Sequence, residues 1–532
     1  MLSYILLGFS SILLVVLWHK LYPKPYPGIP YVESSARRIS GDVPELMSVI
    51  RATDEITNAM FTVTTQKLGI PIAQILFPRF RKPLIILDDP LEVEDIVVRR
   101  YNEFDKAHTN VGIFVPMFPR ATLSQYTTPE LKAQKRLWAD VMHVDFLRKA
   151  AAPNIRKATI ELLELWRLKT SAIYKDQPFN VYEDFKNVTL DAIWVALVGE
   201  EPGLTRFELK KLQAQVTNDK VQEPAPQGAF VKAEVAYISE AIARNAKTPM
   251  PTWAQKLETY TPRHRKFRST VISEITRTMK KAVDRYERLE MGTLEADDSA
   301  TCMMDLVLRR QILEAKKAGK APTDPTKDQN MLDEMFIMLV GTAFPGPDPP
   351  TVDRILDTNI PYLDGTCEES LRLAGTSKGN LRQALVDTEI LGYKIPKGAE
   401  VLLNLHINRA PFSFDESKRS PSCRATIDKH GNCFSDAAGR DLASFEPRRW
   451  LVKDEATGKE TFNAYAIPSL AFGGGYRACF GRKLATMEFR IIVVLLILNL
   501  DFIELPEDLR SMRASEKLFR HPQMPFARIR VL

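Results

Sequence analysis

The chain of 532 residues is poor in the features that mark secreted scaffolds, nucleic-acid binders and fibrous proteins. Its five cysteines form an odd and irregularly spaced set, which argues against a disulfide framework and favours a reduced compartment. Lysine and arginine exceed aspartate and glutamate by only seven and form no block, which argues against a dedicated nucleic-acid binder. With 45% hydrophobic and 26% charged residues, the composition is that of a folded globular enzyme.

Charged side chains are absent from the first eighteen residues, MLSYILLGFSSILLVVLW. At 1.5 Å per residue a helix of this length spans about 27 Å, near the thickness of a thin bilayer core. The basic Lys20 and Lys24 follow the apolar run, whereas a signal peptide would begin with basic residues. The sequence therefore predicts a membrane anchor helix over residues 1–21 with the body in the cytosol. A cleaved signal and an interfacial helix are the alternatives.

The segment YPKPYPGIP, residues 22–30, contains four prolines and predicts a stiff, extended hinge after the anchor. No second linker of comparable strength follows, so we expect residues 31–532 to form one catalytic domain. Helical patterns dominate it, for example LDDPLEVEDIVVRRY, in which Asp89 is placed to cap a helix that starts at Pro90. Further helices are predicted around residues 130–147, 153–168, 181–199, 264–289 and 482–500.

Strand signals are fewer than helix signals. PIAQILF followed by PLIILDD, and TEILGYKI followed by EVLLNLHI, are two pairs of short apolar runs around turn residues. The fold class expected is mainly α with a small β region.

The stretch FGGGYRACFGRKLA, residues 472–485, holds a cysteine among four glycines just before a long apolar helix. A thiolate needs stabilising donors, cations or a helix N-terminus nearby. Glycines permit a tight turn close to a flat ligand, Arg477 can meet an anionic group, and the helix starting near Gly481 would direct its positive end at Cys479. A catalytic nucleophile would need a histidine as its base, and the sequence marks none of its histidines as that partner. A metal with one protein ligand, haem iron above all, is the leading candidate.

The same stretch resembles the cysteine loop of the cytochromes P450. The family pattern F-x-x-G-x-R-x-C-x-G is matched by Phe472, Gly475, Arg477, Cys479 and Gly481. The resemblance implies the P450 fold, Cys479 as the axial ligand of haem b (heme b), and cofactor-binding roles for the other four residues.

Two further motifs stand in the family's order before the loop. EESLRL places Glu369 and Arg372 on one helix face, and FEPRRW offers Arg449 to the same glutamate. The resemblance implies that these three residues form a structural ion network.

Upstream, LKAQKRLW resembles the helix whose arginine binds a haem propionate, which would be Arg136. Lys132 stands where the family often has tryptophan, and an ordinary solvated helix face is the alternative.

The resemblance covers the chain from the anchor to the C-terminus, and the hinge looks most like that of microsomal enzymes of fungal secondary metabolism. It implies a monooxygenase that inserts one oxygen atom from O2 into a lipophilic small molecule. Electrons would come from NADPH through a cytochrome P450 reductase, for which Lys132, Lys135, Arg482 and Lys483 are candidate contacts. A single-pass protein of the endoplasmic reticulum membrane is expected. The apolar VGIFVPMF, residues 111–118, would line the substrate pocket, form a lid or touch the membrane.

One part of the family pattern is missing. After NMLDEMFIMLV the central helix over the haem should continue through a Gly-x-Asp/Glu-Thr stretch, but the sequence reads GTAFPGPDPP, and Pro345 and Pro347 would end the helix. Only 28 residues separate Gly341 from Glu369, whereas the missing half helix and its successor need about thirty more. We therefore expect a truncated central helix with a seam near residues 341–343.

An omitted exon in the gene prediction would explain the seam, as would a real chain that lacks the groups that protonate bound oxygen. A haem-thiolate isomerase or dehydratase that needs no O2 is the first alternative function. An inactive product of the truncated gene is the second. A zinc site at Cys423, His430 and Cys433 is less favoured than a loop insertion, because paired ligands are absent.

Overall fold

The computed structural model describes residues 21–219, 224, 226–291, 302–321, 324–340, 351–434 and 441–532. Residues 1–20 lie outside this range, and with them nearly all of the expected anchor. In the described part of the chain, no helix is long and apolar enough to cross a membrane.

Helices make up most of the described chain, which confirms the expected fold class. Their bounds, in chain order, are α1 Glu33–Ala36, α2 Val43–Thr53, α3 Ile56–Phe61, α4 Pro90–Val98, α5 His108–Phe114, α6 Pro129–Leu137, α7 Val144–Phe146, α8 Ala152–Leu168, α9 Tyr182–Val198, α10 Leu204–Thr217, α11 Gln227–Ala246, α12 Pro251–Glu258, α13 Pro262–Glu290, α14 Met303–Lys317, α15 Gln329–Val340, α16 Val352–Asp357, α17 Pro361–Ala374, α18 Pro421–His430 and α19 Arg482–Asn499.

The strands are short. Their bounds are β1 Ile72–Ile75, β2 Leu84–Leu87, β3 Phe104–Lys106, β4 Phe179–Asn180, β5 Gly379–Ala384, β6 Thr388–Ile390, β7 Tyr393–Ile395, β8 Glu400–Asn404, β9 Leu451–Lys453, β10 Glu460–Phe462, β11 Leu500–Phe502, β12 Ala514–Glu516, β13 Arg520–Pro522, β14 Phe526–Ala527 and β15 Ile529–Val531.

The chain divides into two compact units. The first is formed by the described residues within 1–110, 368–479 and 514–521, and the second by those within 111–367, 480–513 and 522–532.

A five-stranded sheet organises the first unit, in the order β1-β2-β8-β5-β3. The β2 and β8 strands are parallel, and the other neighbours are antiparallel. Both faces of β2 are buried: Ile85 and Leu87 pack into one apolar cluster, and Leu84 and Ile86 into another. Because successive side chains of a strand point to opposite faces, the sheet is a central layer between two cores.

The predicted hinge lies along this sheet in an irregular conformation. Buried Gln74 of β1 donates to the carbonyls of Ile29 (2.7 Å) and Tyr26 (3.0 Å), and its carbonyl oxygen accepts from the Tyr26 amide (2.8 Å). The backbone of Gln74 also donates to Pro30. Proline has no amide hydrogen to donate. The segment therefore bonds to Gln74 through its own carbonyl oxygens and through the amide of Tyr26.

Helices α8, α9, α10 and α19 pack together in the second unit. Trp166 of α8 is fully buried and donates its indole N–H to Asp184 of α9 at 2.9 Å. Lys169 forms an ion pair with the same carboxylate at 2.6 Å. The polar tip of the tryptophan is thereby satisfied inside an apolar helix interface.

Two secondary-structure predictions need correction. The helix expected over residues 130–147 ends at Leu137, because Trp138 leaves helical geometry and buries its ring, and a 3₁₀ turn and short helices follow. The run TEILGYKI does not pair with EVLLNLHI but forms its own hairpin, β6–β7. The partner of β8 on that side is β5, whose mixed polar and apolar residues gave no strand signal.

Candidate functional site

The cysteine loop has a defined backbone conformation built on glycine. Gly473 and Gly475 have φ angles of +66° and +61°, a region that side chains with a Cβ atom rarely adopt. A single 3₁₀ turn spans Gly475–Arg477, and the Cys479 amide donates to the Phe472 carbonyl at 2.8 Å. The loop therefore closes on itself through backbone groups and leaves the Cys479 side chain exposed.

Helix α4 forms the floor beneath the loop. A Cβ atom on Gly475 would lie 2.2 Å from the Val97 carbonyl oxygen, and one on Gly474 would lie 2.7 Å from a methyl group of Val97 and 2.8 Å from one of Val98. A Cβ atom essentially never lies within 3.0 Å of a non-bonded heavy atom, so a side chain at either position would force the loop or α4 to move. Helix α4 starts as predicted, with Asp89 accepting from the Glu92 amide at 2.8 Å.

Arg477 lies in a cluster with one carboxylate and a second guanidinium. Its Nε and Nη2 donate to Oδ1 of Asp105 on β3, at 3.2 and 3.1 Å. Arg382 of β5 is 3% exposed, and burial together with the Arg477 charge lowers its pKa to about 10. Burial also lowers the pKa of Arg477, although Asp105 acts in the opposite direction. Two cations therefore share one carboxylate in a largely buried position.

Sequence reasoning missed both Arg382 and Asp105. Arg382 lies on a strand that was not predicted, and no motif surrounds it. Asp105 is 372 residues away from its partner Arg477, a pairing that only the folded chain reveals.

The structure brings Glu369, Arg372 and Arg449 into contact. Glu369 is fully buried and accepts from Arg372 at 2.7 and 2.8 Å and from Arg449 at 2.9 Å. The Trp450 indole (3.0 Å) and the Glu446 amide (2.9 Å) complete its partners. Burial opposes ionisation of Glu369, but these hydrogen bonds outweigh it and lower its pKa.

The arginines extend this network to the backbone. Arg372 donates to the carbonyls of Ile407 and Leu442, and Arg449 donates to those of Asp441 (3.1 Å) and Ser444 (3.3 Å). One buried carboxylate thus joins α17 to the segment that leads toward the cysteine loop.

The remaining candidates lie in the second unit. Arg136 is an exposed residue in the last turn of α6, on which Lys132 also lies. Gly481 caps the N-terminus of α19, and a Cβ atom there would meet no protein atom within 4 Å. No steric contact with the described chain explains a glycine at that position. Val111, Met117 and Phe118 of the apolar segment are buried.

The expected seam lies outside the described residues, because the description of α15 ends at Val340 and resumes at residue 351. Hydrogen bonds fix the first part of α15. Asp333 accepts from the Arg120 amide at 2.8 Å, and Glu334 accepts from the amide and hydroxyl of Thr122, both at 2.7 Å.

On α19, Glu488 is buried, and its Oε1 has no hydrogen-bond partner among the described residues.

The side chains of the first unit fit a haem group. A thiolate is the ligand that a single-cysteine haem site requires, and Cys479 is exposed on a loop that a backbone hydrogen bond closes. The guanidinium groups of Arg382 and Arg477 suit a ligand that carries carboxylates. The alternative zinc site gains no support, since the described chain contains no cluster of three or more His, Cys, Asp or Glu residues arranged for a metal.

Comparisons with known proteins agree with this geometry. The cytochrome P450 family model matches residues 342–416 and 441–526. Cytochrome P450 monooxygenase TRI13 of Fusarium sporotrichioides is 26% identical, with 97% of each chain covered. Cytochrome P450 monooxygenase GME11363 of Pestalotiopsis microspora is 27% identical, with 97% of this chain and 96% of that protein covered. The crystal structure of cytochrome P450 CYP102L1 superposes with a TM-score of 0.61 at 15% identity, covering 92% of this chain and 96% of the other.

The chain is therefore similar to cytochrome P450 proteins, through the family model in its C-terminal part and through relatives named as P450 monooxygenases along 97% of its length. This similarity supports an oxidoreductase of the P450 monooxygenase type, and the family implies haem bound through a cysteine thiolate.

The alignment lengths bear on the missing segment. The comparison with the Fusarium protein spans 579 positions, 47 more than the 532 residues of this chain, so at least 47 positions of the alignment have no counterpart here. The family model begins to match at residue 342, next to the expected seam.

Proposed function

We propose that the protein is a haem-dependent monooxygenase that inserts one oxygen atom from O2 into a lipophilic small molecule in fungal secondary metabolism. The observation that carries the proposal is the exposed Cys479 on a glycine loop that lies against α4. The relatives that match along nearly the whole chain come from species of Fusarium, Pestalotiopsis and Penicillium, and one shorter match is named for a gene cluster of Dothistroma septosporum.

Cys479 would bind the haem iron, and the bound haem would supply the activation of O2. Arg477 and Arg382 would hold haem carboxylates, with Asp105 fixing the Arg477 guanidinium. Arg136 is proposed as a further carboxylate partner, on the motif alone. Phe472 accepts the amide hydrogen bond of the cysteine residue, and Gly475 and Gly481 leave room for the turn and the ligand.

Glu369, Arg372 and Arg449 would have a structural role. Their buried network contacts the backbone carbonyls of Ile407, Asp441, Leu442 and Ser444, all of which precede the cysteine loop in the chain. Networks of this kind fix one arrangement of the chain when every member is satisfied.

The electron donor proposed is an NADPH-cytochrome P450 reductase. The exposed Lys132, Arg482 and Lys483 are candidate contacts for an acidic partner. The protein is proposed to be held in the endoplasmic reticulum membrane by the helix over residues 1–21, with the catalytic part in the cytosol. The uncharged N-terminal run and the proline-rich segment support this placement.

The native protein is proposed to contain about thirty residues more than this chain, inserted at the seam, as the helix lengths require. The buried Glu488 supports this view: its Oε1 has no hydrogen-bond partner among the described residues, and removal of a packed segment would leave such an atom behind. Burial raises the pKa of Glu488 well above its ordinary value.

The proposed function is tested by turnover with the reductase, NADPH and ¹⁸O2, using a panel of lipophilic compounds. A monooxygenase transfers one ¹⁸O atom to the product and stays inactive when the reductase is omitted. Turnover without reductase and without ¹⁸O incorporation would favour the isomerase or dehydratase instead. A chain that purifies without haem would favour the inactive product.

A further inference from the structure

One stretch of the chain, residues 417–440, lies between the two parts that the cytochrome P450 family model matches. The structure describes residues 417–434 of this stretch, and these are called the inserted segment below. The inserted segment contains α18, which is capped by Ser420, whose hydroxyl accepts from the Cys423 amide at 3.2 Å. Cys423 and Phe434 are buried in the same apolar cluster as α4. The inserted segment is therefore part of the core of the first unit.

Three carboxylates of α4 are buried on the side that contacts the inserted segment. Asp89, Glu92 and Asp95 are spaced by three residues, which places them on one side of the helix, and none has exposed surface. A buried carboxylate is costly unless a cation or hydrogen-bond donors compensate it. Arg419 of the inserted segment is itself buried and donates to both oxygens of Asp89, at 2.6 and 3.1 Å.

The other two carboxylates also bond to the inserted segment. The hydroxyls of Ser420 and Ser422 donate to one oxygen of Asp95, at 2.7 and 2.6 Å. The amide of Ser420 donates to Glu92 at 3.3 Å. Two arginines that follow α4 in the chain donate to the remaining oxygens of Asp95 and Glu92. All three carboxylates on this side of α4 are thus tied to the inserted segment.

The last turn of α4 is the floor of the cysteine loop. A Cβ atom on Gly474 would lie 2.7 Å from Val97, and one on Gly475 would lie 2.2 Å from the carbonyl oxygen of the same residue. Close-packed elements transmit a displacement to their neighbours because no free space absorbs it. A shift of α4 would therefore move the loop that carries Cys479.

We propose that the inserted segment is a brace that fixes α4 and, through α4, the position of the Cys479 sulfur. Arg419 is the main positioning residue, because it compensates the carboxylate that caps α4. The proposal rests on haem ligation by Cys479, as given under Proposed function. It adds to that site a set of side chains that contact neither substrate nor cofactor and act through α4.

Hydrogen exchange of the full-length, haem-loaded protein tests whether the brace reaches the loop. Arg419→Gln leaves Asp89 buried without a cation and is expected to speed exchange at least about tenfold in the peptides over residues 90–98 and 472–479. The matched control is Arg520→Gln in the same unit, because Arg520 forms an ion pair with Glu55 and donates to the Ala374 carbonyl, both outside α4. The control is expected to leave both peptides protected.

The carbon monoxide difference spectrum of the same variants reports on the thiolate. Part of the haem in Arg419→Gln is expected to lose the red-shifted Soret band, and Arg520→Gln is expected to keep it. Arg419→Lys is expected to lie between Arg419→Gln and the unchanged protein, because lysine keeps the charge but not the two-pronged geometry. Ser422→Ala removes one hydroxyl from Asp95 and keeps the Arg419 ion pair, so it replaces Arg419→Gln if that variant does not fold. A smaller increase in exchange in the same two peptides is expected for it.

Faster exchange over residues 90–98 alone, with the cysteine loop still protected and the Soret band unchanged, would overturn the proposal. Unchanged exchange in both peptides would overturn it as well. Failure of the proposed haem ligation is recognised separately, because the unchanged protein would then lack the red-shifted band. Failure of the brace leaves that band in place in every variant.

Discussion

At the scale of single residues, two glycines of the cysteine loop have left-handed backbone angles for different reasons. Gly475 is constrained both by its φ angle and by the Val97 carbonyl, which a Cβ atom would reach at 2.2 Å. Gly473 has a similar φ angle, but nothing lies within 4 Å of its Cβ position. Comparing the two positions therefore separates the free-energy cost of backbone strain from the free-energy cost of the close approach to α4.

Gly473→Ala is expected to lower the free energy of unfolding by about 1 kcal/mol, the cost of a left-handed residue with a side chain. Gly475→Ala is expected to cost roughly 3 kcal/mol or more, because the loop must also move away from α4. Denaturant unfolding gives the free energies, and the haem absorbance per protein gives the occupancy. Equal losses for the two variants would mean that contact with α4 does not hold the loop.

The residue scale also shows where sequence reasoning stops. Asp89, Cys479 and Glu369 could be named because each lies in a short motif whose neighbours share its role. Arg382 and Asp105 could not, because their importance comes from a cluster assembled from distant parts of the chain. A buried cluster of charged side chains is a property of the fold and leaves no local pattern.

At the scale of elements, α17 and the segment Pro447–Trp450 are joined through one carboxylate. Since Glu369 accepts five hydrogen bonds at its two oxygens, loss of its charge leaves Arg372 and Arg449 without their buried counterion. Leaving a buried charge uncompensated costs much more than an exposed pair is worth.

Glu369→Gln is therefore expected to lower the free energy of unfolding by about 3 to 5 kcal/mol. The control is Arg448→Ala, which removes an exposed pair with Glu460 at 3.5 Å and is expected to cost about 0.5 kcal/mol or less. Both are measured by denaturant unfolding of the purified protein. Comparable effects of the two changes would show that the buried network adds little to stability.

Element prediction succeeded where local signals agreed. The α4 helix has a capping aspartate and a proline at its first position, and the apolar runs of β1 and β2 flank a short turn. Prediction failed where tertiary pairing decided the outcome. β5 is a strand because β3 and β8 pair with it on both sides, while its own residues alternate only weakly. The long helix expected over residues 130–147 breaks at a buried tryptophan.

At the scale of the whole molecule, the chain is shorter than its alignment with a relative. The chain aligns with relatives along 97% of its length, yet the alignment needs at least 47 positions that it does not contain. The sequence places a shortage of about thirty residues after Val340, where the central helix should continue.

The native transcript is expected to contain about thirty additional codons between those for Met338 and Phe344, including a Gly-x-Asp/Glu-Thr stretch, because the helix pair needs that length. Amplifying and sequencing the messenger RNA across this region tests the prediction. A message that runs straight from Val340 to Phe344 would mean that the shortened chain is real. Oxygen insertion would then lose the acid and alcohol on which proton delivery depends.

Haem ligation by Cys479 is the central claim, and the carbon monoxide difference spectrum of the reduced protein tests it most directly. The full-length protein is expected to give the red-shifted Soret band of a thiolate-bound haem. Cys479→Ser is expected to abolish that band, while Cys433→Ser, at a second partly accessible cysteine, leaves it in place. A band at the position typical of histidine-bound haem, or one that survives Cys479→Ser, would contradict the account.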